Sequence, residues 1–333
     1  MKIHPNLRHR SLLTLQDLTN EELVELLSLA RFLKKKKYQE YDTRQLWLRG
    51  KSIALLFEKS STRTRCAATV AAADEGAHVE YLGKHDIHLG KKESLADTAR
   101  VLGRMFDGIL FRGFAHNTAQ QLAKYAGVPV WNGLTDEWHP TQALADLMTI
   151  RSSFGRLEGL QFVYMGDGRN NVCNSLMVAC AKTGINFVNC CPPQLAPAAE
   201  LVEAVRSQAA ETGASINITD DVKSAVKGAN VLYTDVWISM GEESKMDERI
   251  RLLRPYQVNA EVVEATGNAE ANNLIFLHCL PAFHNHDTEF TRELGALEVT
   301  DEVFEADFSK VFEQAENRMH TIKALMAASL VEE

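Results

Sequence analysis

Ser61, Thr62, Arg63, Thr64 and Arg65 form an unbroken run of hydroxyl and guanidinium side chains between an apolar stretch at 52–57 and an Ala-rich stretch at 66–73. The apolar stretch reads as a short buried strand, and the Ala-rich one as a helix with a small-residue face. A strand-to-helix turn gathers free backbone N–H groups and the positive end of a helix dipole, which is a place to hold a phosphate. Hydroxyls and arginines complete such a cradle through charge-assisted hydrogen bonds. The run is not a P-loop, because G-x-x-x-x-G-K-[ST] is absent. A capped helix with a solvated basic turn carries the same local signature, so the run needs company before it means an anion site.

Company comes at further points. Arg112 ends the apolar run 108–112, and is either a solvated arginine or a donor at a strand end. His139, Pro140, Thr141 and Gln142 open a long helix. Pro140 suits the first helical position, which leaves His139 and Gln142 where free N–H groups point outward. Gly166-Asp167-Gly168-Arg169-Asn170-Asn171 follows another strand and invites a dinucleotide reading. That reading fails, because the third glycine is replaced by Asn171 and the next strand ends without an acidic residue for a ribose. Asn170 and Asn171 instead offer amides to a polar, zwitterionic ligand. Asp235 precedes a glycine-containing loop with Ser239, Met240 and Gly241, in which Trp237 and Met240 are expected to be exposed. His278, Cys279, Leu280 and Pro281 end one more strand, and Glu316, Asn317, Arg318, Met319 and His320 open the last helix.

The elements that must carry these residues alternate. Strands are expected at 52–57, 78–82, 108–112 and 128–131, then at 160–165, 186–191, 215–218, 230–234 and 274–278. Helices are expected at about 64–76, 93–106, 117–126 and 140–154, then near 170–183, 198–212, 221–227 and 259–266. Thr19 and Glu22 make a capping box for an opening helix. Segment 313–331 is amphipathic, with Ile322, Leu325, Met326 and Leu330 at helical spacing. Such alternation means parallel sheets covered by helices. The fold class expected is α/β, with two similar domains linked by two long helices: residues 1–150, with the C-terminal helix 313–333 packing back on them, and residues 151–312. Two such domains leave a cleft, and ligands sit outside the C-terminal ends of the strands.

The 333 residues are 45% apolar and 24% charged with a formal charge of −8, which fits a globular protein and disfavours a nucleic-acid or anionic-membrane partner. The basic run Lys34–Lys37 is expected to be a solvated helix end. No apolar stretch reaches 18 residues and the N-terminus lacks a secretory h-region, so no membrane span and a cytoplasmic location are expected. Six cysteines without CxxC or zinc-type spacing read as reduced, mostly buried thiols, and no metal or cofactor is expected.

Taken in order, the S-T-R-T-R, H-P-T-Q, D-x-x-x-S-M-G and H-C-L-P motifs resemble the aspartate/ornithine carbamoyltransferase family, on its ornithine branch, from about residue 8 to 331. The resemblance implies transfer of a carbamoyl group from carbamoyl phosphate to the δ-amine of L-ornithine, giving citrulline and phosphate, in arginine synthesis or, reversed, in arginine breakdown. It implies that Ser61, Thr62, Arg63, Thr64 and Arg112 bind carbamoyl phosphate, with His139 and Gln142 on the carbamoyl group. Arg318 and the backbone around Cys279 and Leu280 complete that environment, with Arg112, His139, Cys279 and Arg318 nearest the reaction. Cys279 is expected to pack on the ligand rather than to act as a nucleophile. Asn171, Asp235, Ser239 and Met240 would hold ornithine, Asp235 as counter-charge to an ammonium group. The resemblance also implies a homotrimer, or a larger assembly of trimers, in which the loop 84–93 reaches a neighbouring subunit's site.

Two positions depart from the family pattern. Cys66-Ala67-Ala68-Thr69 stands where C-A-F-E is usual, and His88 stands where many relatives have glutamine, which puts a phosphate contact from His88 in question. Competing readings are a carbamoyltransferase for putrescine or acetylated ornithine, and a catalytically silent binding subunit that keeps the fold.

Overall fold

A computed structural model of the chain describes residues 5, 7–39, 46–87, 92–238 and 245–331. The chain forms two compact units, Met1–Met148 with Glu316–Glu333, and Thr149–Ala315. In the first unit β1 (Ser52–Phe57), β2 (His78–Leu82), β3 (Gly108–Arg112) and β4 (Val130–Leu134) form a parallel sheet in the order β2-β1-β3-β4. Its helices are α1 (Asn20–Gln39), α2 (Thr62–Asp74), α3 (Leu95–Met105), α4 (His116–Tyr125) and the first part of α5 (Pro140–Phe154). In the second unit β5 (Gln161–Met165), β6 (Asn186–Cys190), β7 (Ile216–Thr219), β8 (Val231–Thr234) and β9 (Ile275–His278) form a parallel sheet in the order β7-β6-β5-β8-β9. Its helices are α6 (Asn171–Thr183), α7 (Ala199–Thr212), α8 (Val222–Val226), α9 (Met246–Leu253), α10 (Ala260–Ala265), α11 (Asp301–Phe304) and the start of α12 (Val311–Leu330). Helices α5 and α12 thus each run from one unit into the other.

Strand order explains why function gathers where it does. In the first sheet the chain moves outward from β1 to β2 on one side and to β3 and β4 on the other, so the order reverses between β1 and β3. In the second sheet the reversal falls between β5 and β8. Parallel α/β sheets bind ligands beyond the carboxyl ends of strands at such reversals. The turns after β1, β5 and β8 hold Ser61, Asn170 and Asp235, and Arg112 ends β3; His139 follows β4, Cys279 follows β9, and Arg318 lies on α12. Central strands β1, β3 and β8 are buried along nearly their whole length, as expected for strands covered on both faces.

Sequence and structure agree on the α/β alternation, and the differences have physical causes. Strand β4 starts at Val130 rather than 128, directly after Pro129, which has no N–H to give a ladder. Helices α9 and α11 were not foreseen; each is short and lies next to loop sequence. The capping box of α1 is present: Glu22 N donates to Thr19 Oγ1 at 3.2 Å and Thr19 N to Glu22 Oε2 at 2.9 Å.

The basic run at the end of α1 is not a solvated helix end. Lys34 donates to Asn317 Oδ1 at 2.9 Å, Lys36 pairs with the buried Glu75 at 3.0 Å, and Lys37 pairs with Asp74 at 2.7 Å. Nor does α12 keep one solvated face. Residues from His320 to Leu330 are buried all round the helix, and its polar members have partners within the unit. Lys323 pairs with Asp74 at 2.5 Å, His320 meets Glu316, and Ser329 Oγ accepts from Trp131 Nε1 at 3.2 Å. A helix buried on every side must find partners for its polar groups inside the protein, and this one finds them on α1, α2 and β4, with His320 Nδ1 left without one.

Candidate active site

In the first unit, β1 and β3 are paired so that Phe57 lies beside Arg112, and a register shift at Phe111/Arg112 brings Arg112 beside Leu134 of β4. The three strands therefore end together. Glu58 N donates to Arg112 O at 2.8 Å, and Gly113 N donates to Leu134 O at 3.0 Å, which ties the exits to one another. Gly113 has to be glycine, because a Cβ there would collide with the Glu58 carboxylate and the Phe111 ring.

Beyond β1, Ser61 is the N-cap of α2: its Oγ accepts from Thr64 N at 3.2 Å. An N-cap of this kind is worth about 1 kcal/mol. It also leaves the other amides of the first turn without an intrahelical carbonyl. Thr62 is exposed, Ser61 and Arg63 are half-buried, and Thr64 is fully buried. Thr64 Oγ1 accepts from Arg318 Nη2 at 2.7 Å, which fixes a guanidinium from α12 beside the helix N-terminus. Arg65 departs from the group: it is exposed and lies over the Tyr81 ring at 3.8 Å.

His139 immediately precedes α5 and is buried, as are Arg112 and Arg318. Burial drives the imidazole pKa well below its ordinary value, and the positive charges of Arg318, Arg112 and Arg63 push it the same way. The ring is therefore neutral at physiological pH and sits in a field made by three arginines. Such a field favours a dianion, and a neutral imidazole within it can polarise a carbonyl without bringing a proton to titrate. Gln142, in the first turn of α5, is 1% exposed, and its Nε2 donates to the buried Asp146 Oδ1 at 2.8 Å.

In the second unit, Thr234 of β8 pairs with His278 of β9, so the next residues, Asp235 and Cys279, leave the sheet side by side. Cys279 Sγ lies 2.9 Å from Asp235 Oδ1, which also accepts from Val236 N at 2.8 Å. With its proton engaged by a carboxylate, the thiol is poorly placed to become a nucleophilic thiolate. The turn carrying Cys279 is held by His278. Its Nδ1 accepts from Leu280 N at 2.9 Å and its Nε2 lies 3.2 Å from Glu298 Oε1. Accepting at Nδ1 puts the ring proton on Nε2, facing Glu298. Both nitrogens are then committed, so His278 has no lone pair to give a metal, although Asp235, His278 and Cys279 lie close together. Leu280 adopts φ +58°, a conformation costly for a leucine, and the His278 bond helps hold it there.

Asn171 begins α6 and is half-buried. Asn170 caps the same helix: its Oδ1 accepts from Val172 N at 2.7 Å, which leaves only its NH2 group to offer a ligand. Trp237 is likewise not exposed. It is wholly buried in the core of the second unit, and its carbonyl accepts from Arg249 Nε at 2.7 Å. Arg249 is in turn paired with Asp167 at 2.7 Å, both buried. Asp167 thus anchors the segment following Asp235. His88, Ser239 and Met240 lie outside the described residues.

Sequence reading passed over Glu298, Arg249 and Asp146. Glu298 had a signal: a lone carboxylate in the apolar run 296–299 needs a buried partner.

Two sequence models of the family, described as the carbamoyl-P binding domain and the Asp/Orn binding domain of aspartate/ornithine carbamoyltransferase, match residues 10–152 and 158–329. The chain belongs to the aspartate/ornithine carbamoyltransferase family. Among its relatives, the catabolic ornithine carbamoyltransferase of Bacillus licheniformis is 57% identical over 331 residues, 98% of this chain and 97% of that protein. Ornithine carbamoyltransferase 2, catabolic, of Staphylococcus epidermidis is 56% identical with the same coverage. The solved ornithine carbamoyltransferase from Pyrococcus furiosus superposes with a TM-score of 0.89 at 42% identity, covering 98% of both chains.

Proposed function

We propose that this protein moves a carbamoyl group between carbamoyl phosphate and the δ-amine of L-ornithine, and that its working direction is catabolic: citrulline and phosphate in, ornithine and carbamoyl phosphate out. The direction rests on relatives at 56–57% identity that are named catabolic. The observation that carries the chemistry is the buried neutral His139 amid Arg63, Arg112 and Arg318, next to the capped N-terminus of α2. Ser61, Thr62, Arg63, Thr64 and Arg112 receive the phosphate, and His139, Gln142 and Arg318 the carbamoyl group. Asn171 and Asp235 receive the amino acid, together with Ser239 and Met240.

In the synthetic sense the neutral amine attacks the carbonyl carbon, the carbonyl oxygen takes up charge, and the C–O bond to phosphate breaks as the amine proton is released. Guanidinium groups neutralise the departing phosphate, and donors at the carbonyl stabilise the developing oxyanion. In the catabolic sense a phosphate oxygen attacks the ureido carbon of citrulline, and the same groups serve in reverse. Since the δ-amine resembles a lysine with a pKa of roughly 10.4, producing it in neutral form costs about 4.6 kcal/mol at pH 7, a demand on the amine side of the reaction. A trimeric or larger assembly and a cytoplasmic location belong to the same proposal. Among the described residues no helix is long and apolar enough to cross a membrane.

The test is an assay in both directions with a panel of amines. Citrulline should form from carbamoyl phosphate and ornithine, with putrescine, aspartate and N-acetylornithine far poorer, and arsenate or phosphate should cleave citrulline. Equal turnover of putrescine would replace ornithine as the substrate. Absence of turnover with every amine would leave a binding subunit.

A further inference from the structure

Gln142 has an unusual hydrogen-bond balance. Its Nε2 donates to Asp146 Oδ1 at 2.8 Å, while Oε1 is buried and makes no hydrogen bond within the protein. Both side chains are essentially inaccessible, at 1% and 0% exposure. A buried amide oxygen without a donor is costly, and natural proteins rarely keep one without a use. The two residues lie four apart on α5, where side chains face each other across one helical turn. An amide can turn over, exchanging its donor and acceptor ends, unless a neighbour accepts only one of them. A carboxylate offers lone pairs alone, so Asp146 must face the NH2 group, and the oxygen is forced to the other side.

We propose that Asp146 is a positioning residue that fixes Gln142 with its acceptor toward the substrate, so that the site selects an acyl phosphate carrying an –NH2 on its carbonyl over one carrying a methyl. The inference rests on the reading that Gln142 meets the carbamoyl group. Because Oε1 has no donor within the protein, a substrate N–H that reaches it satisfies an acceptor otherwise left unpaired. A methyl in the same place leaves the acceptor unsatisfied. Sites built this way reject analogues that lack the donor far more strongly than size alone would.

The probe is acetyl phosphate, in which a methyl replaces the carbamoyl nitrogen. Its inhibition constant against carbamoyl phosphate, divided by the Michaelis constant for carbamoyl phosphate, gives a discrimination ratio. Wild type should show a ratio of roughly ten to a hundred. Asp146→Leu removes the acceptor that orients the amide, and should lower the ratio at least threefold even where kcat changes little. Exchanging the pair, Gln142→Glu with Asp146→Asn, keeps the net charge and places a carboxylate oxygen toward the substrate, and should restore the ratio. A role in stability alone would lower melting temperature and leave the ratio unmoved in every variant, which would overturn the proposal. If Asp146→Leu does not fold, Gln142→Glu alone against the exchanged pair decides. Recovery only in the pair supports the proposal, and equal ratios overturn it. A wild type that shows no saturable use of carbamoyl phosphate would instead sink the functional reading beneath it.

Discussion

His320 offers a stability prediction whose size follows from its surroundings. Its side chain is wholly buried on α12, with Nε2 3.1 Å from Glu316 Oε1 and Nδ1 making no hydrogen bond. The Tyr38 ring packs edge-on at 5.8 Å. Burial lowers its pKa from 6.5 to about 4; the Glu316 contact opposes that, and the positive charges of Lys323 and Lys34 add to it. The sign follows directly. Unfolded chains bind a proton at this residue below about pH 6.5, and the folded protein refuses it until about pH 4. Stability from the neutral ring is therefore present above pH 6.5, erodes as pH falls, and is lost once pH passes about 4. At about 1.4 kcal/mol per pH unit the limit is roughly 3 kcal/mol. Linkage gives about 1 kcal/mol of that between pH 7 and pH 5.5. His320→Phe keeps a buried ring and removes the titration, and Glu316, 36% exposed, can turn to water. Urea unfolding followed by fluorescence at the two pH values should show wild type losing about 1 kcal/mol more than the variant. If the two proteins lose the same stability within about 0.3 kcal/mol, the ring is not held neutral by burial and the reasoning fails.

Three further outcomes probe the site. Arg112→Ala should lower kcat by about 10²–10³, as expected for loss of a buried donor to developing charge; turnover within threefold of wild type would remove Arg112 from the reaction. Asp235→Asn should raise KM for ornithine strongly while leaving carbamoyl phosphate binding nearly intact, measured by initial-rate kinetics with each substrate varied, and a change confined to carbamoyl phosphate would reassign it. Arg318→Met should raise the His139 pKa, because Arg318 is the largest charge acting on that ring after burial itself. An NMR titration of the imidazole reads this directly, and an unmoved curve would show that the cationic field is misassigned.

What could be read from sequence was whatever is local. Ser61 caps α2 and Pro140 opens α5 because each residue acts on its own helix turn, and the strand-ending positions of Arg112, Asp235 and Cys279 follow from alternation. What could not be read depends on partners far away in the chain. Segment 313–331 reads as amphipathic from its own apolar spacing, yet Lys323 within it is buried because Asp74 waits 249 residues earlier. Trp237 looked like a loop aromatic poised for a ligand, and instead fills the second unit's core while Arg249 and Asp167 tie down its backbone. Asn170 matches its neighbour Asn171 in type, and only the turn geometry makes the first of them the cap of α6.

The same distinction bears on how the site can be precise. The residues visible as motifs sit on turns, whose conformations are individually weak. They are held by buried polar pairs with at least one partner outside the motifs: Glu298 on His278, Asp167 on Arg249, Thr64 on Arg318, Asp146 on Gln142. Each pair restricts one orientation of one functional group, and a buried group of this kind is costly when its partner is lost. Variation in substrate preference within such a fold can therefore arise one layer behind the motif residues, with every signature position unchanged. Asp146 is the case here where that layer determines which atom of an amide the substrate meets.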